Sequence, residues 1–165
     1  MTNVGFRGGS TVRDLGTATD MKAFFYFVRL GILDLQNGGG HEFLTDRLYR
    51  RYLRLEDLDK TSAFAEDIHD ILMRMPSRSM DWKAAGWVPT ATRLDLSQKT
   101  VANVFDRYIK SVSYLSEDAK SFERRFQIYR PVMTIISDLP RLHIDQSRPL
   151  AEYDLLEGDP MWLRP

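Results

Sequence analysis

The sequence predicts an all-α fold, a single-domain helical bundle of about five helices with an irregular C-terminal tail packed on it. The first observation is the length of 165 residues, which suits one domain. The second is the composition, because 43% hydrophobic and 28% charged residues are typical of a globular protein with a buried core. The third is a recurring spacing of apolar residues by four and three positions, which places them on one face of a helix.

The chain divides into three predicted parts. Residues 1–19 contain glycines among serines and threonines and are predicted to be a flexible N-terminal arm. Residues 20–140 carry the helical spacing and are predicted to form the bundle. Residues 141–165 contain prolines that break helices, yet they include apolar side chains such as Leu155 and Trp162. This C-terminal extension is therefore predicted to lie across the bundle.

The first three helices are predicted between residue 20 and Pro76. The first follows Asp20 and ends at the glycines 38–40, since glycine tolerates the left-handed conformation of a C-terminal cap. The second begins near Glu42, and the third ends at Pro76 because proline cannot continue a helix. Their apolar faces consist of Met21, Phe25, Val28, Ile32 and Leu35 in the first, Leu44, Leu48, Tyr52 and Leu55 in the second, and Phe64, Ile68, Ile71 and Met75 in the third.

Two more helices are predicted after an irregular stretch. Residues 76–95 have no helical spacing, and a short strand over residues 88–94 is a minor alternative there. Ser116 is predicted to cap the start of the fifth helix, and Pro131 to kink that helix without ending it. The apolar faces consist of Val101, Phe105, Tyr108, Val112 and Leu115 in the fourth helix, and Phe122, Phe126, Tyr129, Met133 and Ile136 in the fifth.

The composition excludes several classes of protein. The absence of cysteine removes disulfides, thiolate metal sites and cysteine nucleophiles. The longest apolar run, residues 23–28, is far shorter than the roughly 20 residues of a membrane-spanning helix. The N-terminal residues also lack the apolar segment of a signal peptide. We therefore expect a cytoplasmic protein that uses no cofactor and no metal and does not bind membranes.

Acidic residues cluster in two segments, residues 56–70 and residues 145–159. Such clusters suit the docking of one protein partner, because opposed electrostatic potentials speed and orient association. Tryptophan is also enriched among the residues that dominate binding energies. The predicted partner-binding residues are Glu66, Asp67 and Asp70 from the third helix and Asp154, Glu157 and Trp162 from the extension.

Phosphate or nucleic-acid binding is a second hypothesis. It rests on a stripe of arginines that share one helix face and donate well to phosphate oxygens. The net charge of zero, from 23 basic and 23 acidic residues, argues against nucleic acid and favours pairing of the arginines with the acids that follow them. The candidate anion-binding residues are Arg47, Arg50, Arg51 and Arg54.

A small helical enzyme, or one subunit of an enzyme, is a third hypothesis. His69 or His143 would then serve as a general base, because imidazole titrates near neutral pH. The sequence places no activated nucleophile beside either histidine, and it lacks the glycine-rich phosphate-binding and nucleophile-elbow motifs.

A cysteine-free helical domain with acidic clusters and a polar, aromatic segment over residues 149–165 resembles the small cytoplasmic immunity proteins of bacterial polymorphic-toxin systems. The resemblance implies a non-enzymatic protein that neutralises a cognate toxin by direct binding and occlusion. These families lack a universal motif, so the resemblance assigns no residue a role. The net charge of zero departs from the strongly acidic members that shield nuclease sites, which leaves the toxin's chemistry open. Homo-oligomerisation also stays open.

Overall fold

A four-stranded antiparallel sheet and a set of helices form the two layers of the fold. The computed structural model describes residues 3–9, 11–35, 40–126, 132–137 and 160–163. The strands are β1 (Asn3–Gly8), β2 (Thr11–Thr17), β3 (Tyr52–Leu53) and β4 (Met133–Ser137), in the order β2-β1-β4-β3. The helices are α1 (Ala18–Leu33), α2 (His41–Arg50), α3 (Leu55–Leu58), α4 (Thr61–Met73), α5 (Val101–Val104) and α6 (Asp106–Phe126), with short 3₁₀ turns at Ser77–Ser79 and Met161–Leu163.

Helices α1 and α6 lie against the same face of the sheet. Phe6 of β1 meets Phe24 of α1, with ring centroids 6.4 Å apart. Gly8 is two residues further along β1 and therefore on the same face. It lies against α6 so closely that a Cβ at this position would be 2.8 Å from the Cβ of Leu115. Only glycine allows this approach of strand and helix.

The predicted all-α bundle is wrong, because the protein is a mixed α/β fold with an antiparallel sheet. The described residues of the predicted arm, 1–19, form the β1–β2 hairpin and the start of α1. Gly5 and Gly8 of this segment lie so close to neighbouring backbone that a Cβ would not fit. Val4 and Phe6 are buried on the core face, as alternate residues of a strand are.

The fourth and fifth predicted helices do not meet at Ser116. Helix α6 runs through this residue without a break, and the Ser116 hydroxyl donates to the carbonyl oxygen of Ser113 at 2.8 Å. A serine inside a helix can satisfy its hydroxyl in this way, so its side chain does not have to cap a helix end. Residues 88–94, the minor strand alternative, form no strand.

Strand β4 occupies the end of the predicted fifth helix. Met133 and Ile136, which were expected on a helical face, pair with Gly8 and Gly5 of β1 in antiparallel register. The β-branched run Thr134–Ile136 favours a strand. A short apolar run does not by itself distinguish a strand from a helix, which explains the error. Tyr129 and Pro131 lie outside the described residues.

The core is an aromatic cluster centred on Phe105, which is completely buried between α5 and α6. Its ring lies 5.3 Å from Phe24 and 6.2 Å from Phe27 of α1, and 5.2 Å from Tyr108 of α6. Trp82 from the long connection after α4 completes the cluster, 4.7 Å from Phe27. Rings in tilted and edge-on contact of this kind add to the hydrophobic stabilisation.

A buried carboxylate joins the hairpin, the first helix and the connection between α4 and α5. Asp20 is 0% exposed. It accepts hydrogen bonds from the backbone N–H of Thr17 at 3.2 Å, the hydroxyl of Thr92 at 2.6 Å and the backbone N–H of Arg93 at 2.8 Å. With Thr17 it forms the capping box of α1, where the helix dipole also favours a negative charge.

None of the described helices combines the length and the apolar character that crossing a membrane requires.

We expect Phe105→Ala to lower the free energy of unfolding by about 3–5 kcal/mol, because it removes the centre of the aromatic cluster and leaves a cavity. Chemical denaturation measures this change. Phe43→Ala is the matched control, since that ring is 56% exposed and its loss should cost less than about 1 kcal/mol. Equal losses in the two variants would contradict the assignment of the core.

We expect Asp20→Ala to lower the free energy of unfolding by about 2–4 kcal/mol, because several buried donors lose their acceptor together. Asp34→Ala, at the exposed C-terminal end of the same helix, should change it by less than about 0.5 kcal/mol. Thermal or urea unfolding of both variants measures the difference. Similar stability of the two variants would show that Asp20 does not hold these elements together.

Candidate functional site

The three predicted acidic residues of α4 have different surroundings. Asp67 accepts a hydrogen bond at 2.7 Å from Nε2 of His41, whose ring is buried against Phe64. Glu66 and Asp70, one helical turn apart, are exposed. Asp67 therefore has a structural role in joining α2 to α4, whereas Glu66 and Asp70 are available at the surface.

Glu66 and Asp70 line a groove between α4 and α6 with a volume of about 530 Å³. The opposite wall includes Lys110 and Tyr114, and the Tyr114 ring is 52% exposed. We call this feature the α4–α6 groove. Two exposed carboxylates thus face an exposed aromatic ring across a surface cleft, an arrangement suited to a basic and partly apolar ligand.

His69 also lines the α4–α6 groove, and its side chain is half-exposed. Its Nδ1 lies 3.5 Å from the Oδ1 of Asp70. Among the residues that the structure describes, no three potential metal ligands come together. His69 thus adds a polar side chain to the α4 wall of the groove. His143, the other candidate general base, lies outside the described residues.

The arginine stripe is largely engaged within the protein. Arg47 turns inward, with Nε 3.5 Å from the Oδ2 of Asp57 and the guanidinium 5.6 Å from the Tyr52 ring. Arg50 donates to Asp46 at 2.9 Å. Arg54 donates to the Tyr52 hydroxyl at 3.3 Å, and Arg51 is half-buried. The Arg47–Asp57 pair is of the expected kind, an arginine with an acid that follows it, whereas Arg50 pairs with an acid that precedes it.

Of the three predicted partner-binding residues in the extension, Trp162 lies in the described part of the chain. Trp162 is only 2% exposed, and its indole N–H donates to the carbonyl oxygen of Tyr49 at 2.8 Å. Its ring lies 5.7 Å from the Tyr49 ring in an edge-on contact. Trp162 therefore covers the core and offers no exposed face to a partner. Asp154 and Glu157 lie outside the described residues.

Sequence reasoning missed the residues that α6 contributes to this surface. Lys110 and Tyr114 are one turn apart and lie off the apolar face that includes Tyr108, Val112 and Leu115. A stripe of polar and aromatic residues on the solvent side of a helix is the signal that could have identified them. Nothing in the sequence indicates that α4 is the helix beside that stripe.

No protein-family model, no curated protein and no solved structure matches this chain.

We expect Asp67→Ala to lower the free energy of unfolding by about 1–3 kcal/mol, because the buried ring of His41 loses its hydrogen-bond partner. Glu66→Ala, one residue away on the same helix, should change it by less than about 0.5 kcal/mol. Urea denaturation of the two variants gives the comparison. If Asp67→Ala is as stable as the parent, the bond between α2 and α4 has no structural importance.

Proposed function

We propose that this is a non-enzymatic protein-binding protein, an immunity protein that neutralises one cognate bacterial toxin in the cytoplasm by binding and occluding it. The observation that carries the proposal is the α4–α6 groove, where the exposed carboxylates of Glu66 and Asp70 face the exposed ring of Tyr114. Carboxylates bind Lys and Arg side chains, and an exposed tyrosine supplies apolar contact at the centre of an interface.

The rigidity of the two walls supports a docking role. Ala65 and Ile68 of α4 and Ile109 and Val112 of α6 are buried in the common core. The backbone that carries Glu66, Asp70 and Tyr114 is therefore fixed before any partner arrives. A preformed surface loses little conformational entropy on binding, so more of the contact energy appears as affinity.

The charges of the α4–α6 groove indicate the chemistry of the partner. Glu66, Asp70 and a half-exposed His69 face Lys110 on the opposite wall. A basic segment of the toxin that enters from the α4 side meets opposed charge, which speeds association and fixes its orientation. Bound there, the protein would occlude the surface to which that basic segment belongs.

The other two functions gain no support from the geometry. Arg47 and Arg50 are in ion pairs with Asp57 and Asp46, so the arginine stripe presents little free charge to phosphate. His69 lies 3.5 Å from the carboxylate of Asp70, and this pair supplies no hydroxyl or thiol nucleophile.

Co-expression tests the proposal directly. The protein encoded immediately upstream of this one is expressed in bacteria alone and together with this chain, and growth is measured. We expect the upstream protein to stop growth and this chain to restore it. The purified pair should also form a complex whose affinity falls as the salt concentration rises, since the contact is charged. An upstream protein that is harmless, or whose toxicity this chain does not relieve, would contradict the proposal.

We expect the double variant Glu66→Gln/Asp70→Asn to weaken the complex by at least about tenfold, because two charge-assisted contacts are lost. Calorimetry measures the affinity. Glu42→Gln/Glu56→Gln removes the same charge from two other exposed positions and should bind as the parent does. If both double variants bind equally well, the α4–α6 groove is not the docking surface, even if the protein proves to be an immunity protein.

A further inference from the structure

A second hollow lies on the other side of Tyr114, between strand β2 and helix α6. Its volume is about 270 Å³, and it is lined by Arg13, Arg107, Lys110, Ser111 and Tyr114. We call it the β2–α6 hollow. Three of its five side chains carry a positive charge, in a protein whose net charge is zero. Neither the predicted arginine stripe nor the α4–α6 groove explains this concentration of positive charge.

The neighbouring carboxylates only partly neutralise the β2–α6 hollow. Lys110 pairs with Asp106 at 2.8 Å, whereas Asp14 pairs with Arg93 at 3.4 Å. In the described part of the chain, neither Arg13 nor Arg107 has a carboxylate within ion-pair distance. The hollow therefore keeps an excess of two positive charges, which attracts an anion.

The two arginines are held in place by contacts that leave their charge intact. Nη2 of Arg107 donates to the backbone carbonyl oxygen of Asp14 at 3.1 Å, which ties α6 to β2. The guanidinium carbon of Arg13 lies 4.7 Å from the centre of the Tyr114 ring. A guanidinium that is stacked or bonded at one edge can still donate from its other N–H groups. Both side chains are thus partly ordered before a ligand binds, which lowers the entropic cost of binding.

The spacing along α6 brings the other donors to the same place. Arg107 lies three and four residues before Lys110 and Ser111, and Tyr114 lies four and three residues after them, so the four side chains form one stripe of the helix. Ser111 is nearly buried beneath this stripe and adds a hydroxyl group. The hollow thus offers charged donors from both a strand and a helix.

We propose that the β2–α6 hollow binds a phosphate group. A phosphate monoester carries a charge of about −1.5 to −2 near neutral pH and three strong acceptor oxygens. The charge of the phosphate matches the excess of two positive charges, and its three oxygens match the three cationic side chains. A carboxylate offers only one charge and two oxygens in one plane. Arginine donates to phosphate through two parallel N–H groups, which suits Arg13 and Arg107. The phosphate proposal does not require toxin binding at the α4–α6 groove, although Lys110 and Tyr114 line both sites.

Titration with inorganic phosphate tests the proposal, with backbone amide NMR signals as the readout and sodium chloride keeping the ionic strength constant. We expect saturable shifts concentrated in residues 107–114 and in β2. Arg13→Gln and Arg107→Gln should each weaken phosphate binding by about tenfold or more. Arg78→Gln, which removes one positive charge from an exposed turn elsewhere, should leave it unchanged.

Arg107 also bonds the backbone of β2, so the stability of Arg107→Gln is first compared with that of the parent by thermal unfolding. If Arg107→Gln is unstable, the phosphate affinity of Arg13→Gln decides the test. A parallel titration with phenyl phosphate distinguishes the source of the group. Tighter binding than inorganic phosphate assigns the hollow to an organic phosphate, and equal binding assigns it to the free ion. Shifts that do not saturate, that chloride or acetate reproduces, or that persist in Arg13→Gln would overturn the proposal.

Discussion

The buried carboxylate of Asp20 lies where three parts of the chain meet. The remaining structure depends on the hydrogen bonds that these parts donate to it. The β1–β2 hairpin supplies the backbone N–H of Thr17, and the connection before α5 supplies Thr92 and Arg93. A buried carboxylate without such donors would be strongly destabilising. The folded hairpin, the start of α1 and the connection therefore have to form together.

This dependence extends to the helix that carries the proposed sites. Tyr108 of α6 is buried beside Asp20, and burial together with the Asp20 charge raises the pKa of this tyrosine far above its ordinary value. Phe105, the residue directly before α6, contacts both α1 and Trp82. One side of α6 is thus fixed by the core, and its other side presents Lys110 and Tyr114 in a defined position. The surface chemistry follows from the packing beneath it.

Much of the helical part of the fold could be predicted, and the sheet could not. The apolar spacing of Met21, Phe25 and Val28 identifies α1, because apolar residues repeated at steps of four and three over a long segment fall on one face only in an α-helix. In β1 the alternating apolar pattern consists only of Val4 and Phe6 with a glycine between them. Such a pattern is too short and too rich in glycine to identify a strand. Strand β4 then pairs with this distant segment, and a pairing over more than a hundred residues leaves no local trace in the sequence.

The same limit applies to the candidate site. Helical spacing is sufficient to place Glu66 and Asp70 on one face of α4. It does not separate them from Asp67, whose carboxylate is bonded to His41 of another helix. Nor does it bring Tyr114 to the opposite wall, because that requires the packing of α4 on α6. The chemistry of individual side chains can be predicted from local sequence, whereas their combination into a site depends on tertiary contacts.

A net charge of zero is compatible with strong local fields when opposite charges are segregated. Around Tyr114, Glu66 and Asp70 lie on one side, and Arg13 and Arg107 lie on the other. The net charge of the whole chain conceals both patches. The electrostatic field of each patch nevertheless extends over about a Debye length of 8 Å at physiological salt. A ligand with one sign of charge is attracted to one side of this ring and repelled from the other, so the surface favours one orientation of a charged ligand. The neutrality that argued against a nucleic-acid-binding protein therefore conceals two surfaces of opposite charge that meet at Tyr114.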